Sequence, residues 1–147
     1  MTVNIKYVFD AARDFQTGSR ILADRFGQAV FPLRTTVVSS AFSVDLYLKC
    51  LLLLTVGTVP KSHKLLDLYD ALPTDTKDLA QAKYDAVAPQ SGQLRDALAE
   101  HNGTFVEWRY LFEKQDKPFS LNWRSLRDAA TALNEATLSL QPDWRQG

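Results

Sequence analysis

Residues 36–56 read TVVSSAFSVDLYLKCLLLLTV, a stretch in which apolar side chains recur every three or four residues. The recurring positions are Val37, Ala41, Val44, Leu48 and Leu51. An α-helix has 3.6 residues per turn, so this spacing places the five side chains on one face. Gly57 and Pro60 follow, as residues that end a helix do. We therefore predict a helix over 36–56 with a buried face, ended by Gly57 in a left-handed conformation.

The four leucines at 51–54 follow one another directly, so they cannot all lie on one face of this helix. The end of the helix must therefore be covered by other parts of the protein or by a partner. We expect a partner to cover part of it. Cys50, which precedes the leucines, has the setting of a buried helix residue rather than of a nucleophile.

Helical periodicity continues on both sides of this stretch. One apolar stripe predicts a first helix, which ends at Phe31 and Pro32. Another apolar stripe predicts a last helix, which Pro142 ends. The first stripe comprises Ile5, Val8, Ala12, Phe15, Ser19, Leu22, Phe26 and Ala29, and the last comprises Leu126, Ala130, Leu133, Thr137 and Leu140.

Shorter helices are predicted between these two. One runs over residues 65–72 with Ser62 as its N-cap, and others run over 74–88 and 93–101. Thr104 and Glu107 form a capping box that starts a further helix. No strand pattern is convincing. We predict an all-α fold, an up-and-down bundle of four to five main helices without a sheet, as a single domain over residues 1–147.

Composition narrows the functional classes. Of the 147 residues 46% are hydrophobic, which excludes a disordered chain. The 17 basic and 17 acidic side chains cancel. This balance argues against broad capture of nucleic acid or of an anionic membrane, and it leaves a local basic site open.

The single cysteine, Cys50, excludes an internal disulfide and a thiolate zinc site, and it fits a reducing compartment. Charged residues near the start, Lys6 and Asp10 among them, interrupt any secretory signal. The longest apolar run, residues 50–56, is much shorter than the ~20 residues of a membrane span. We expect a cytoplasmic protein with no membrane partner, no cofactor and no metal.

Three segments resemble the HEPN (higher eukaryotes and prokaryotes nucleotide-binding) domain family. They are AFSVDLYLKCL at 41–51, GTVPKSHKL at 57–65 and FVEWRYLFE at 105–113, in the order that the family has them. Together they cover most of residues 36–114. The resemblance implies a helical bundle that forms a homodimer. It also implies a range of roles, from RNA-cleaving toxins and defence effectors to nucleotide-binding accessory domains and inactive partners.

HEPN ribonucleases carry an arginine, usually followed by a polar residue, and a histidine beyond it. Arg95, Asp96 and His101 match this pattern, although asparagine is the more familiar second residue. A histidine can move the 2′-hydroxyl proton and an arginine can stabilise phosphate charge, without a metal. On one helix, however, Arg95 and His101 lie about 120° apart. The alternative is structural, with His101 as an exposed cation in the last turn of a helix.

Two further groups could bind ligands. The first group lies on a loop and helix start that could hold a phosphate, and it comprises Lys61, Ser62, His63 and Lys64. Alternatively, His63 could pack beneath the turn while both lysines are solvated. Arg109 and Tyr110 could bind a base or phosphate, or Arg109 could instead stabilise the bundle through buried hydrogen bonds.

Carboxylates elsewhere are interpreted first as surface groups. Asp45 and Lys49, spaced i,i+4, form a surface or dimer-edge pair and are only secondarily ligand candidates. Asp67 and Asp70 are expected to be solvated on a short helix.

Three functions remain open. The first, which we favour, is a catalytically silent HEPN-like dimer that binds RNA, a nucleotide or a cognate toxin or antitoxin protein. The second is a metal-independent endoribonuclease that uses Arg95 and His101. The third is a structural helical module whose leucines 51–54 bury into a partner.

Overall fold

The computed structural model describes residues 3–25, 33–102 and 123–146. These ranges contain six α-helices and no strand, so the predicted all-α bundle without a sheet is confirmed. The helices are α1 (Ile5–Ala23), α2 (Leu33–Thr55), α3 (Leu65–Asp70), α4 (Thr74–Val87), α5 (Leu94–Glu100) and α6 (Trp123–Leu140), and a 3₁₀ helix (Pro142–Gln146) follows α6. The predicted helix that starts at Thr104 and the predicted end of the first helix, residues 26–32, lie outside the described residues.

Helix α2 is the centre of the bundle, and α1, α3 and α6 all pack against it. It begins three residues before the predicted start and ends at Thr55, one residue before the predicted end. The predicted face is confirmed, because all five of its side chains are at most 2% exposed: Val37, Ala41, Val44, Leu48 and Leu51. This stripe provides much of the apolar surface that the bundle buries.

The leucines at 51–54 are covered largely by the chain itself. Leu51 and Leu52 are fully buried, and Leu53 and Leu54 are half-buried. Residues Thr35–Thr55 have a mean hydropathy of 1.7, so by length and composition alone this helix could cross a membrane. However, 61% of this segment is buried inside the protein, and the core helix of a bundle can be equally long and apolar.

Helix α1 buries a face that coincides only in part with the predicted stripe, from which Ala12 and Ser19 are buried. Its buried residues are Phe9, Ala12, Gln16 and Ser19, whereas Phe15 is 39% exposed and stacks on Phe42 of α2 with ring centroids 5.1 Å apart. The polar residues of this face are buried because they have partners. Ser19 Oγ donates to the carbonyl of Thr36, and Tyr47 donates to Gln16 Oε1. Hydrogen bonding, rather than apolar character, therefore fixes how α1 is rotated.

The predicted stripe of α6 is confirmed over most of its length. Leu126, Ala130, Leu133 and Thr137 are at most 2% exposed, and only Leu140 at the end is 39% exposed. The face packs between α2 and α4. Beyond it, Trp144 packs on Phe9 with ring centroids 5.2 Å apart, so the 3₁₀ helix closes the core of the bundle.

Gly57 ends α2 as predicted. Its φ is +89°, and its N–H donates to the carbonyl of Leu52 at 2.9 Å. An L-residue with a side chain rarely adopts this conformation, even where space is available. Gly18, by contrast, lies inside α1, where a Cβ would meet no atom within 4 Å.

We expect Gly57→Ala to lower the free energy of unfolding by about 1 kcal/mol, because alanine is strained at positive φ. Gly18→Ala should raise it by about 0.5–1 kcal/mol, because alanine is favoured inside a helix. Urea denaturation followed by circular dichroism measures both variants. Equal effects of the two substitutions would contradict this account of the α2 end.

Candidate functional site

Arg95 on α5 binds α3. Its Nε and Nη2 donate to the two carboxylate oxygens of Asp70, at 3.0 and 2.9 Å. The hydrogen bond from Arg95 lowers the pKa of Asp70, so that carboxyl stays ionised. Asp70 was predicted to be simply solvated; it is 44% exposed, but it is the partner of Arg95. The guanidinium therefore serves as a link between two short helices.

His101, the residue that ends α5, is buried rather than exposed as the structural alternative predicted. Only 5% of it is accessible, and its Nε2 shares a 3.0 Å hydrogen bond with Ser125 Oγ on α6. The next residue, Asn102, accepts the N–H of Leu66 at 2.9 Å. The end of α5 is thus attached to both α3 and α6, and this attachment explains why His101 faces inward.

The two residues of the ribonuclease pattern consequently have partners on different helices. Arg95 contacts α3 and His101 contacts α6, so within one chain each side chain is engaged away from the other. A shared site would require both to leave these partners, or a second copy of the chain to supply one of them. The pattern Arg95–Asp96–His101 is thus present without an assembled pair.

A cleft of about 340 Å³ lies between α4, α5 and α6, and its lining includes Ser125, the partner of His101. Its described lining includes three carboxylates and one guanidinium, those of Asp96, Glu100, Asp128 and Arg124. Burial raises the pKa of Asp128, in keeping with its partly enclosed position. A lining in which carboxylates outnumber cations repels the phosphates of RNA.

The turn before α3 is built differently from the prediction. The N-cap of α3 is Lys64 rather than Ser62, and the Lys64 side chain makes no capping hydrogen bond. Ser62 Oγ instead accepts the N–H of Lys64 at 3.0 Å and donates to Asp67 at 2.8 Å. Asp67, predicted to be solvated, thus has a partner. With the N–H groups of Lys64 and Leu66 both engaged, an anion at the start of α3 would have to be bound by side chains rather than by these backbone groups.

The same turn places His63 beside Asp45 of α2. Asp45 Oδ2 accepts from Lys49 Nζ at 2.8 Å, and His63 Nδ1 lies 3.8 Å from Oδ1 and 3.5 Å from Lys49 Nζ. Asp45 was predicted at the surface, but it is only 6% exposed. Its Oδ1 is buried and has no hydrogen-bond partner.

This arrangement gathers two cation-forming side chains over one buried carboxylate. An ionised carboxylate that lacks a hydrogen bond is costly away from water, and a proton on His63 Nδ1 would supply a donor after a small movement. The His63 side chain is 61% exposed, so it can reach a ligand while Asp45 orients it. The Asp45–Lys49 pair inside an apolar stretch was the sequence signal for this cluster.

The remaining predicted residues contribute less. Arg109 and Tyr110 lie outside the described residues. Among residues 3–25, 33–102 and 123–146, no group of three or more His, Cys, Asp or Glu side chains could hold a metal ion. Cys50 is fully buried, and burial raises its pKa to about 12, so its thiol is not a nucleophile near neutral pH.

Comparison with known proteins adds no relative: no family model, no curated protein and no solved structure matches this chain.

We expect His101→Ala to lower the free energy of unfolding by about 2 kcal/mol, because it removes a buried ring and leaves Ser125 without this partner. Arg95→Gln, which removes an exposed pair, should leave the urea midpoint nearly unchanged. Urea denaturation of both variants tests these roles. A fully stable His101→Ala protein would show that His101 is not held for structural reasons.

Proposed function

We propose that this chain is a catalytically silent, HEPN-like helical module that binds phosphate groups of RNA or of a nucleotide. One observation carries the proposal, which is the convergence of Lys49 and His63 over buried Asp45. The ligand site is the turn, whose exposed lysines Lys61 and Lys64 flank His63. We call Asp45, Lys49, Lys61, His63 and Lys64 the turn site.

Charge supports a phosphate as the ligand of the turn site. Its three lysines and His63 outnumber Asp45 and the nearby Asp67, and Asp45 is buried where it holds Lys49 rather than facing solvent. A protonated His63 would donate one N–H to Asp45 and another to a phosphate oxygen. Lysine and imidazolium groups are natural partners of a phosphate.

The contacts of helix α5 support the absence of catalysis in this proposal. Arg95 is held by Asp70, His101 is held by Ser125, and the adjacent cleft is rich in carboxylates. Catalysis by positioned groups requires them to meet at one reacting centre. The contacts of the α5 pair favour a structural role, and this favours binding over cleavage.

We further propose a cytoplasmic homodimer, which acts with a cognate toxin or antitoxin protein. The HEPN resemblance is the reason for this part of the proposal. Exposed apolar side chains on α1 support it, because Tyr7 is 72% exposed and Ile21 is 63% exposed. Both residues lie on the same side of α1, about 21 Å apart along its axis, so a partner helix packed along α1 would cover both.

Binding to a fluorescein-labelled single-stranded RNA, followed by anisotropy, tests the turn site. We expect Lys61→Gln/Lys64→Gln to weaken binding about tenfold and to reduce the salt dependence of log K by about 1 per lysine. His63→Gln should also weaken binding, because it removes a ring N–H that can donate to a phosphate oxygen. Lys77→Gln/Lys83→Gln on α4 removes the same two charges elsewhere and is the control.

The same RNA, incubated in EDTA and run on a denaturing gel, should remain intact. Cleavage that His101→Ala abolishes would instead establish a metal-independent ribonuclease. Equal RNA affinity of the wild type and all turn-site variants would reject the turn site.

Sedimentation equilibrium tests the dimer. We expect the wild type to have twice the 16.6 kDa mass of one chain, and Tyr7→Glu/Ile21→Glu to be monomeric, because charges placed in an apolar interface oppose association. Leu140→Glu, an exposed apolar position on α6, is the matched control and should remain dimeric. A monomeric wild type would disprove the dimer.

A further inference from the structure

A second group of cations lies in a cleft between α1 and α6. The cleft has a volume of about 510 Å³, within the range of small-ligand sites. Its described lining comprises Arg20, Ala23, Asp24, Trp123, Arg127 and Thr131. We call this the arginine cleft. It uses no residue of the turn site.

The two guanidinium groups of the arginine cleft are weakly compensated. Arg20 donates to Thr131 Oγ1 at 3.2 Å and, among the described residues, has no carboxylate within 4.0 Å. Arg127 has one carboxylate contact, from its Nε to Asp128 Oδ1 at 3.8 Å. Asp24 lines the cleft without pairing with either arginine. An anion is therefore favoured here.

Both arginines are held in place by neutral groups. Arg127 Cζ lies 5.4 Å from the ring centroid of Trp123, a cation–π contact. Thr131, which accepts from Arg20, donates to the backbone carbonyl of Arg127 at 3.1 Å. Contacts of this kind orient a guanidinium without neutralising it, so less side-chain entropy is lost when a ligand binds.

We propose that the arginine cleft is a second anion site, which takes a phosphate ester of a nucleotide or of RNA. Two forked guanidinium groups match the several oxygens of a phosphate. Trp123 is only 8% exposed and its ring is covered by arginine, so the cleft recognises charge rather than stacking a base. The class of ligand in this inference rests on the proposed function, whereas the residues of the cleft are independent of it.

Fluorescein-labelled single-stranded RNA and unlabelled AMP are the probes. We expect Arg20→Gln/Arg127→Gln to weaken RNA binding about tenfold, while Arg20→Lys/Arg127→Lys retains part of the affinity because it keeps the charge. Arg145→Gln, which removes an exposed arginine paired with Glu135, is the matched control and should bind like the wild type. If the double variant fails to fold by circular dichroism, Arg127→Gln alone gives the result, because that side chain is 44% exposed.

The outcomes separate the two sites. Weaker binding in the arginine variants alone would support the arginine cleft and reject the turn site. Unchanged binding in the arginine variants, with loss in Lys61→Gln/Lys64→Gln, would reject the cleft and keep the turn site. A wild type that binds neither probe would overturn both. Where the arginine variants weaken binding, displacement of the RNA by AMP would identify a mononucleotide phosphate as sufficient for the cleft, and binding of RNA alone would identify a polymer.

Discussion

The side chain of Gln16, which is 5% exposed, joins three helices. Tyr47 of α2 donates to its Oε1, and its Nε2 donates to Thr131 of α6 at 3.4 Å. Burial raises the pKa of Tyr47 far above its usual range, so the phenol remains a neutral donor. A buried amide without partners would destabilise the fold, and these bonds therefore require α1, α2 and α6 to keep their mutual rotation. Arg20 donates to the same Thr131 hydroxyl, so this oxygen accepts from both a surface cation and a buried amide.

The predictability of the fold follows from what each helix buries. The face of α2 and the left-handed Gly57 are visible in the sequence, because apolar spacing and glycine are local signals. The face of α1 is visible only in part, because Gln16 is buried although it lies outside the predicted stripe, while Phe15, inside the stripe, is exposed. Apolar periodicity places a glutamine on the outward side, and only its partner Tyr47, 31 residues away in the chain, reverses that placement.

The candidate site was predictable in residue type and less so in arrangement. Lys61, His63 and Lys64 are recognisable as cations on a turn, and Asp45 with Lys49 as an i,i+4 pair. The partners of Arg95 and His101 were not recognisable, because they lie 25 and 24 residues away in the chain. Helical geometry alone already separated those two side chains, and tertiary contacts gave each of them a different neighbour.

Zero net charge constrains how such a protein could bind RNA. Long-range attraction is weak, and the Debye length at physiological salt is about 8 Å. The arginine cleft and the turn site adjoin different parts of α2. Ser19, the neighbour of Arg20, contacts Thr36, and the turn site includes Asp45, which lies about 14 Å further along the helix. Exposed charges at these two places therefore act separately. An RNA strand that reached both sites would bind more tightly, because its second phosphate is held at a high effective concentration once the first is bound. A mononucleotide can occupy only one site at a time and would have no such gain in affinity. This difference favours a polymer over a free nucleotide without any excess of basic residues.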